Sequence, residues 1–515
     1  EQYAAIFSMG SRPSPEPRPL PQLPSVHLEI SDAAKLAWKA NEVPQPKPLL
    51  RDESLGARLE PPGAVSGTQR EVVMGLDFGT SSTKVVISDM SLKAAYAVPL
   101  VDGVGTTTYL LPSAVVETPE GIYVLAGTGK RHADLKLAML AQPTSVEACA
   151  RVCGFLALVI RSARAWLFEA KRDQYLRSEL LWALAIGQPA GQAISSASRQ
   201  HFEHLAAVAW HLAGLPGPIA VELAESAWRD RAQLDLGEEL EVRPVAELSA
   251  QIHGFVSSSH FDARQPNIYL LVDVGAGTVD ASVFHVRKDR TGTPTFSLFT
   301  HSVEPLGAAN LNRCRVDWWK EHLATAASQL IESNPARSHK ASHLTQNMDG
   351  LRLPTEYSGT YPEHFTGYLH GVDVALSGGA KSPDEMFQNE VRNQVAGRVL
   401  WKAWDAELLS QEAVRDMPFF LCGGGGRHPL FASLKSRLQK TPNCTWLTAK
   451  HKPLALPANL QAPGVAHADY DRLSVAYGLS QLRPGAFEAV AAMQPTINIE
   501  QHCDWSTSPV DKSVC

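Results

Sequence analysis

Cysteine is scarce in this chain and follows no pattern. Its seven residues, Cys149, Cys153, Cys314, Cys422, Cys444, Cys503 and Cys515, include no Cys-x-x-Cys pair. That excludes a disulfide framework of the small secreted kind and points to reduced thiols in a cytoplasmic compartment. Cys149 and Cys153 stand four apart on an expected helix and Cys503 follows His502; neither spacing amounts to a metal-ligand set by itself. Long apolar runs are also missing: the stretch Val152–Ile160 falls far short of the roughly 20 residues a bilayer demands, so no membrane association is expected. The opening residues show no signal-peptide pattern. Charge of neither sign prevails, because 47 Lys and Arg against 53 Asp and Glu leave a net charge of −6, which argues against nucleic acid as a partner.

What is present is ordinary globular material, 44% hydrophobic and 19% charged. At 515 residues it is too long for one core, so two or more domains are expected. Residues 1–70 read as a Pro-rich arm, with prolines crowded at 11–19 and 44–48 and one short apolar, helical stretch over Val26–Ala40. The arm is either solvated and extended, or docked on the body or a partner through Leu28, Ile30, Leu36 and Trp38. From Glu71 the pattern becomes strand–turn–strand, then strongly helical over 145–212, where Phe155, Leu158, Val159, Trp166 and Leu167 recur at helical spacing. Strands follow at Ile219–Leu223 and Glu241–Pro244, with a helix over Val245–Phe255. Residues 310–410 read as helical around a loop-rich middle, Asn334–Lys381. A buried-type strand spans Met417–Cys422, a short one lies near Thr445–Leu447, and a last helix covers Leu473–Leu482.

Two segments nearly two hundred residues apart carry the chemistry. One runs Gly75-Leu76-Asp77-Phe78-Gly79-Thr80-Ser81-Ser82-Thr83-Lys84, the other Val272-Asp273-Val274-Gly275-Ala276-Gly277-Thr278-Val279-Asp280. Each is an apolar run ending in Asp, a small hydroxyl-rich turn, and a second apolar run, which is the signature of a β-hairpin. Glycine lets backbone N–H groups approach phosphate oxygens, Thr and Ser add donors, and an Asp can hold a metal or its water shell. Two such hairpins from two halves of a chain would pinch a polyphosphate between them.

With a Glu-bearing helix between the hairpins and the turn Gly423-Gly424-Gly425-Gly426-Arg427-His428-Pro429 after them, the order of elements resembles the actin-like ATPase superfamily. It is most similar to the nucleotide-binding domain of DnaK-type heat-shock chaperones, whose second hairpin reads Asp-x-Gly-Gly-Gly-Thr-x-Asp and whose adenosine turn reads Gly-Gly-x-x-Arg-x-Pro. Ala276 is the one departure. The resemblance covers about residues 71–483 and implies an α/β, two-lobed fold of duplicated mixed sheets with helical and loop insertions. The first lobe would span 71–260 with an insertion at 145–212, and the second 261–470 with an insertion at 334–381. A helix at 471–483 would return to the first lobe, and 484–515 would form a tail.

It also implies ATP or ADP with Mg²⁺, the metal held largely through water by Asp77 and Asp273. Gly79, Thr80, Ser81, Lys84, Gly275, Ala276, Gly277 and Thr278 would take the phosphates. Gly423, Gly424, Gly425 and Arg427 would take the adenosine, with Glu390, Arg392 or Arg398 adding a contact from a helix. Glu247, in Arg243-Pro244-Val245-Ala246-Glu247, resembles the glutamate that positions the attacking water, although the chaperones' Pro and Thr beside it are missing. For the phosphate lysine there are two candidates: Lys130, in Gly127-Thr128-Gly129-Lys130, is favoured for catalysis, and Lys84 for binding. The resemblance does not extend to the chaperones' peptide-binding sandwich. The expected activity is therefore slow ATP hydrolysis driving a conformational switch on a protein partner, engaged through the arm or the insertions. The rivals are a self-assembling, filament-forming ATPase, a small-molecule kinase and a regulatory pseudo-ATPase.

Overall fold

A computed structural model of the chain describes residues 25–39, 46–63, 67–189, 196–234, 240–257, 261–262, 264–288, 290, 294–357, 359–439, 446, 448–481 and 491–492. The architecture is α/β, built on two mixed sheets that repeat one plan. Strand β1 (Ser25–Leu36) stands apart from both. Strands β2 (Thr68–Phe78), β3 (Ser82–Asp89) and β4 (Ala94–Ala97) form an antiparallel meander. Helices α1 (Leu135–Ala141) and α2 (Val146–Ala170) follow, then β5 (Ser178–Gln188), helix α3 (Ser196–Gly214), β6 (Glu241–Ala246) and helix α4 (Glu247–Val256). On the other side of β2, β5 runs parallel to it and β6 runs parallel to β5.

The second sheet repeats this. Strands β7 (Ile268–Val274), β8 (Val279–Lys288) and β9 (Pro294–Glu304) form the meander. Helices α5 (Ala308–Leu330) and α6 (Pro335–Asn347), strand β10 (Leu369–Ser377) and helix α7 (Pro383–Arg392) come next. Strands β11 (Met417–Cys422) and β12 (Ala449–His451) then extend the sheet in parallel beyond β7. The chain finally returns to the first sheet, where β13 (Leu460–Gln461) pairs with β4 and helix α8 (Ser474–Ser480) lies across β2. The internal repeat is thus wider than the two hairpins read from sequence: it takes in both whole sheets.

Between the sheets lies a buried cluster that draws Val86 and Ala97 from the first, Tyr269, Leu271 and Phe284 from the second, and Leu248, Ile252, Ala476 and Tyr477 from α4 and α8. Glycine makes this seam possible. A Cβ on Gly478 would stand 1.8 Å from the Ala250 carbonyl oxygen, so α8 and α4 meet backbone to backbone.

Several expectations are corrected. The segment 145–212 is not one helical insertion, for β5 interrupts it and is a central strand of the first sheet. Val26–Ala40 is not helical over its described part, because β1 occupies it. Nor is that part solvated: Leu28, Ile30 and Ala34 are buried against Trp319, Leu323, Ala341 and Leu344 of α5 and α6. The stretch 334–381 contains helix α6 and strand β10 rather than mainly loop. The expected strand at Ile219–Leu223 is only Ile219–Ala220, before a helix over Val221–Arg229, and the short strand near Thr445–Leu447 lies instead at Ala449–His451. The prolines at 11–19 and nearly all of 484–515 fall outside the described residues. No helix among those described is long and apolar enough to cross a membrane.

Candidate functional site

Cross-strand registry decides the charge of each hairpin. Asp77 on β2 sits opposite Lys84 on β3, and Lys84 Nζ reaches Asp77 Oδ2 at 3.0 Å. In the second hairpin Asp273 on β7 sits opposite Asp280 on β8, one carboxylate facing another. Directly opposed residues project to the same sheet face, so like charges there repel. Burial pushes Asp273 up to about 7, aided by Asp280, Glu247 and Asp77 and opposed by Lys84. Asp280 is likewise pushed up to about 7 by burial and Glu247, against Ser282 and Lys136. The second hairpin therefore lacks a cation that the first possesses.

Both turns are held from behind. The Ser113 hydroxyl donates to the Gly79 carbonyl at 2.7 Å, and the Ser113 N–H donates to the Ser81 carbonyl at 3.0 Å. At the second turn the N–H groups of Ala308 and Ala309 donate to the carbonyls of Gly275 and Ala276 at 3.1 and 2.8 Å, and the Asn310 amide donates to Gly277 at 2.7 Å. The start of α5 thus holds three successive turn carbonyls. The turns approach each other closely, since a Cβ on Gly277 would lie 3.4 Å from Thr80 Cγ2 and 3.5 Å from Leu137 Cδ1.

Behind them opens a cleft of about 1460 Å³, lined by Asp77, Gly79, Thr80, Ser81, Lys84, Glu247, Asp273, Gly275, Ala276, Thr278, Gly423, Gly424, Gly425 and Arg427. Nearly every expected site residue is brought together there. Gly277 is buried between Thr80 and Leu137 and does not line the cleft.

Two expectations fail on geometry. Lys130 lies exposed on the short strand Lys130–His132, away from the cleft wall. Lys136 of α1 lines the cleft instead, buried, with Nζ 2.7 Å from Glu247 Oε1. Glu247 opens helix α4 and tucks beneath Gly187, where a Cβ would stand 3.0 Å from its Cγ. Arg427 lines the cleft with its guanidinium edge bound at 2.9 Å by Asp469 and at 2.7 Å by Asp471. Arg472 lies against the glycine turn beside it, its Cζ 3.3 Å from where a Gly424 Cβ would be. Burial and Arg427 lower the Arg472 pKa, while burial raises that of Asp471. Glu390, Arg392 and Arg398 do not line the cleft, and Arg398 instead pairs with Glu304 at 2.5 Å.

Gly423 is fixed by both conformation and space: its φ is +81°, and a Cβ there would fall 2.2 Å from Asp273 Oδ1. The glycine turn thus lets β11 end directly against the acidic pair. Sequence reasoning missed Lys136, Asp280, Asp471 and Arg472 as site residues. Asp280 was visible inside the hairpin motif, whereas Lys136 had no local signal.

Among the described residues, no three His, Cys, Asp or Glu side chains stand close enough to hold a metal directly. Asp77, Asp273 and Asp280 are hard oxygen donors, of which Asp77 alone has a lysine paired to it among the described residues, and such a set suits Mg²⁺ carrying most of its own water. No protein-family model matches the chain, and no curated protein matches it in sequence.

Proposed function

We propose that this chain is a two-lobed, actin-like Mg-ATPase, nearest in plan to the nucleotide-binding domain of DnaK-type chaperones. The observation that carries the reading is the repeated sheet plan, which sets two Asp–Gly–Thr hairpin turns face to face across one cleft with Asp77 and Asp273 at equivalent positions. Turns of glycine and hydroxyl residues suit phosphate oxygens. The cleft exceeds the roughly 300–1,000 Å³ of common small-molecule sites, leaving room for a hydrated nucleotide.

In this reading Thr80, Ser81 and Thr278 donate to phosphate oxygens, with Lys84 and Lys136 supplying positive charge. Mg²⁺, when bound, neutralises charge on the phosphates. Asp77 and Asp273 would hold its water shell, and ionised Asp280 would add negative potential that attracts the cation. Glu247, held by Lys136, orients a water and accepts its proton as that water adds to the terminal phosphorus and the bridging P–O bond breaks. ADP and phosphate leave, and the lobes relax, so the nucleotide acts as a switch on a protein partner. A reducing cytoplasm suits the described cysteines Cys149, Cys153, Cys314 and Cys422, none of which is in a disulfide.

Phosphate release with Mg²⁺ and no acceptor, measured together with sedimentation, tests this. Slow turnover without pelleting, abolished in Asp273→Ala, is expected. Nucleotide-dependent pelleting would move the assignment to a filament, and failure to bind ATP would remove it altogether.

A further inference from the structure

Above the cleft the two halves touch again, away from the hairpin turns. Arg131, beside the exposed Lys130, pairs with Glu356, and the Thr355 hydroxyl bonds Asp134. Arg131 and Asp134 belong to the first half, Thr355 and Glu356 to the segment between α6 and β10 in the second. Glu356 and Tyr357 line the same cleft as the turns. This contact closes at a cost. Glu356 Oε2 and the hydroxyls of Tyr357 and Tyr361 are buried with no hydrogen-bond partner. Each gives up water on closing and gains no hydrogen bond, which offsets part of what the Arg131–Glu356 pair and the Thr355–Asp134 bond contribute, so closure relies on packing as well.

The packing comes from the N-terminal arm. Just beyond β1, the Trp38 ring stands edge-on to Tyr357 at 6.4 Å and to Tyr368 at 5.0 Å, and tilts over Tyr361 at 6.3 Å. Tyr357 and Tyr361 in turn lie 5.4 Å apart. The same arm is moored on the other half, where Lys47 and Pro48 pair with Asp102 and Val101, and Pro46 and Lys47 line the cleft. One stretch of chain is thus fixed to both walls and packs against the contact that joins them.

We propose that the N-terminal arm is a built-in strap governing nucleotide exchange: Trp38 holds the Tyr357–Tyr361 pair so that the Arg131–Glu356 latch stays shut. The proposal rests on the nucleotide reading of the cleft and adds its regulation. Loss of Trp38 frees the tyrosines and Glu356 to take up water, and the latch opens more often.

The test is release of a fluorescent ADP analogue from the full chain, chased with excess ATP, for wild type, Trp38→Ala, Trp38→Phe, Glu356→Gln and the Trp38→Ala/Glu356→Gln double variant. Release is expected to accelerate on the order of tenfold in Trp38→Ala and in Glu356→Gln, the latter because it removes the charge from the buried side of a pair whose other side is exposed. The double variant should release no faster than the quicker single one, since both act on a single closure. Trp38→Phe, which keeps an aromatic ring, should stay near wild type, and its folding separates regulation from general damage. Hydrogen exchange over 131–134 and 354–361 is the readout that needs no nucleotide, and it should rise in Trp38→Ala. Unchanged exchange there, or fully multiplicative release rates, would overturn the strap. If the analogue does not bind wild type while hydrogen exchange still responds, the nucleotide reading fails and the latch stands without it.

Discussion

At the scale of single residues, the two hairpins share a backbone but not a charge. Lys84 faces Asp77, whereas Asp280 faces Asp273. Burial, helped by neighbouring carboxylates, pushes both Asp273 and Asp280 up to about 7, well above the usual carboxylate range. Groups raised in this way stabilise the fold fully below the unfolded value, and the contribution is lost as pH rises through about 7. Without nucleotide, Asp273→Asn should flatten this slope: its melting temperature should gain on wild type between about pH 5 and pH 8 in a differential scanning series. A parallel slope in the two proteins would show that Asp273 is not held protonated by its surroundings. The lysines offer a second comparison. Lys136→Ala should lower ATP turnover on the order of 10²-fold or more if the cleft is the proposed ATP site, since it removes a buried cation from beside Glu247 and the hairpin turns. Lys130→Ala, at an exposed position, should leave turnover near wild type. The reverse ranking would restore the assignment made from the Gly-Thr-Gly-Lys sequence.

At the scale of elements, the seam between α4 and α8 is tight enough to test by one methyl group. Gly478→Ala would drive a Cβ into the Ala250 carbonyl and should cost about 1–3 kcal/mol or more by denaturant unfolding. Little loss would mean that the helices can part.

The hairpins were legible from sequence because Asp, Gly and Thr mark a turn locally, and β11 because an apolar run stops at four glycines. Strand β5, Ser-Glu-Leu-Leu-Trp-Ala-Leu-Ala-Ile-Gly-Gln, was not legible. It is a central parallel strand, and covered strands of that kind lose the alternation that distinguishes them from helix. In β1 the alternation was present, with Leu28 and Ile30 buried and His27 and Glu29 less so, but Ala33-Ala34-Lys35-Leu36 biased the reading toward helix. Lys136 and Arg472 enter the site only through tertiary packing, and no short pattern announces them.

At the scale of the molecule, a ligand gripped between both sheets ought to stabilise the pair together. Mg-ATP at about a hundred times its dissociation constant should add about 2.7 kcal/mol to unfolding, with one cooperative transition. A thermal scan in which only part of the structure responds would argue for a ligand held by one sheet alone.

The pairing of β1 with β10 has a consequence for synthesis. Ser25 meets Ser377, 352 positions further along. At roughly 5–20 residues per second, the ribosome makes β1 roughly 20 to 70 s before its partner strand exists. For most of that interval Leu28, Ile30 and Trp38 have neither α5 nor α6 to cover them. A strand translated 352 residues before its partner is thus among the last of the described elements able to fold, and the nascent polypeptide must be kept from sticking while it waits.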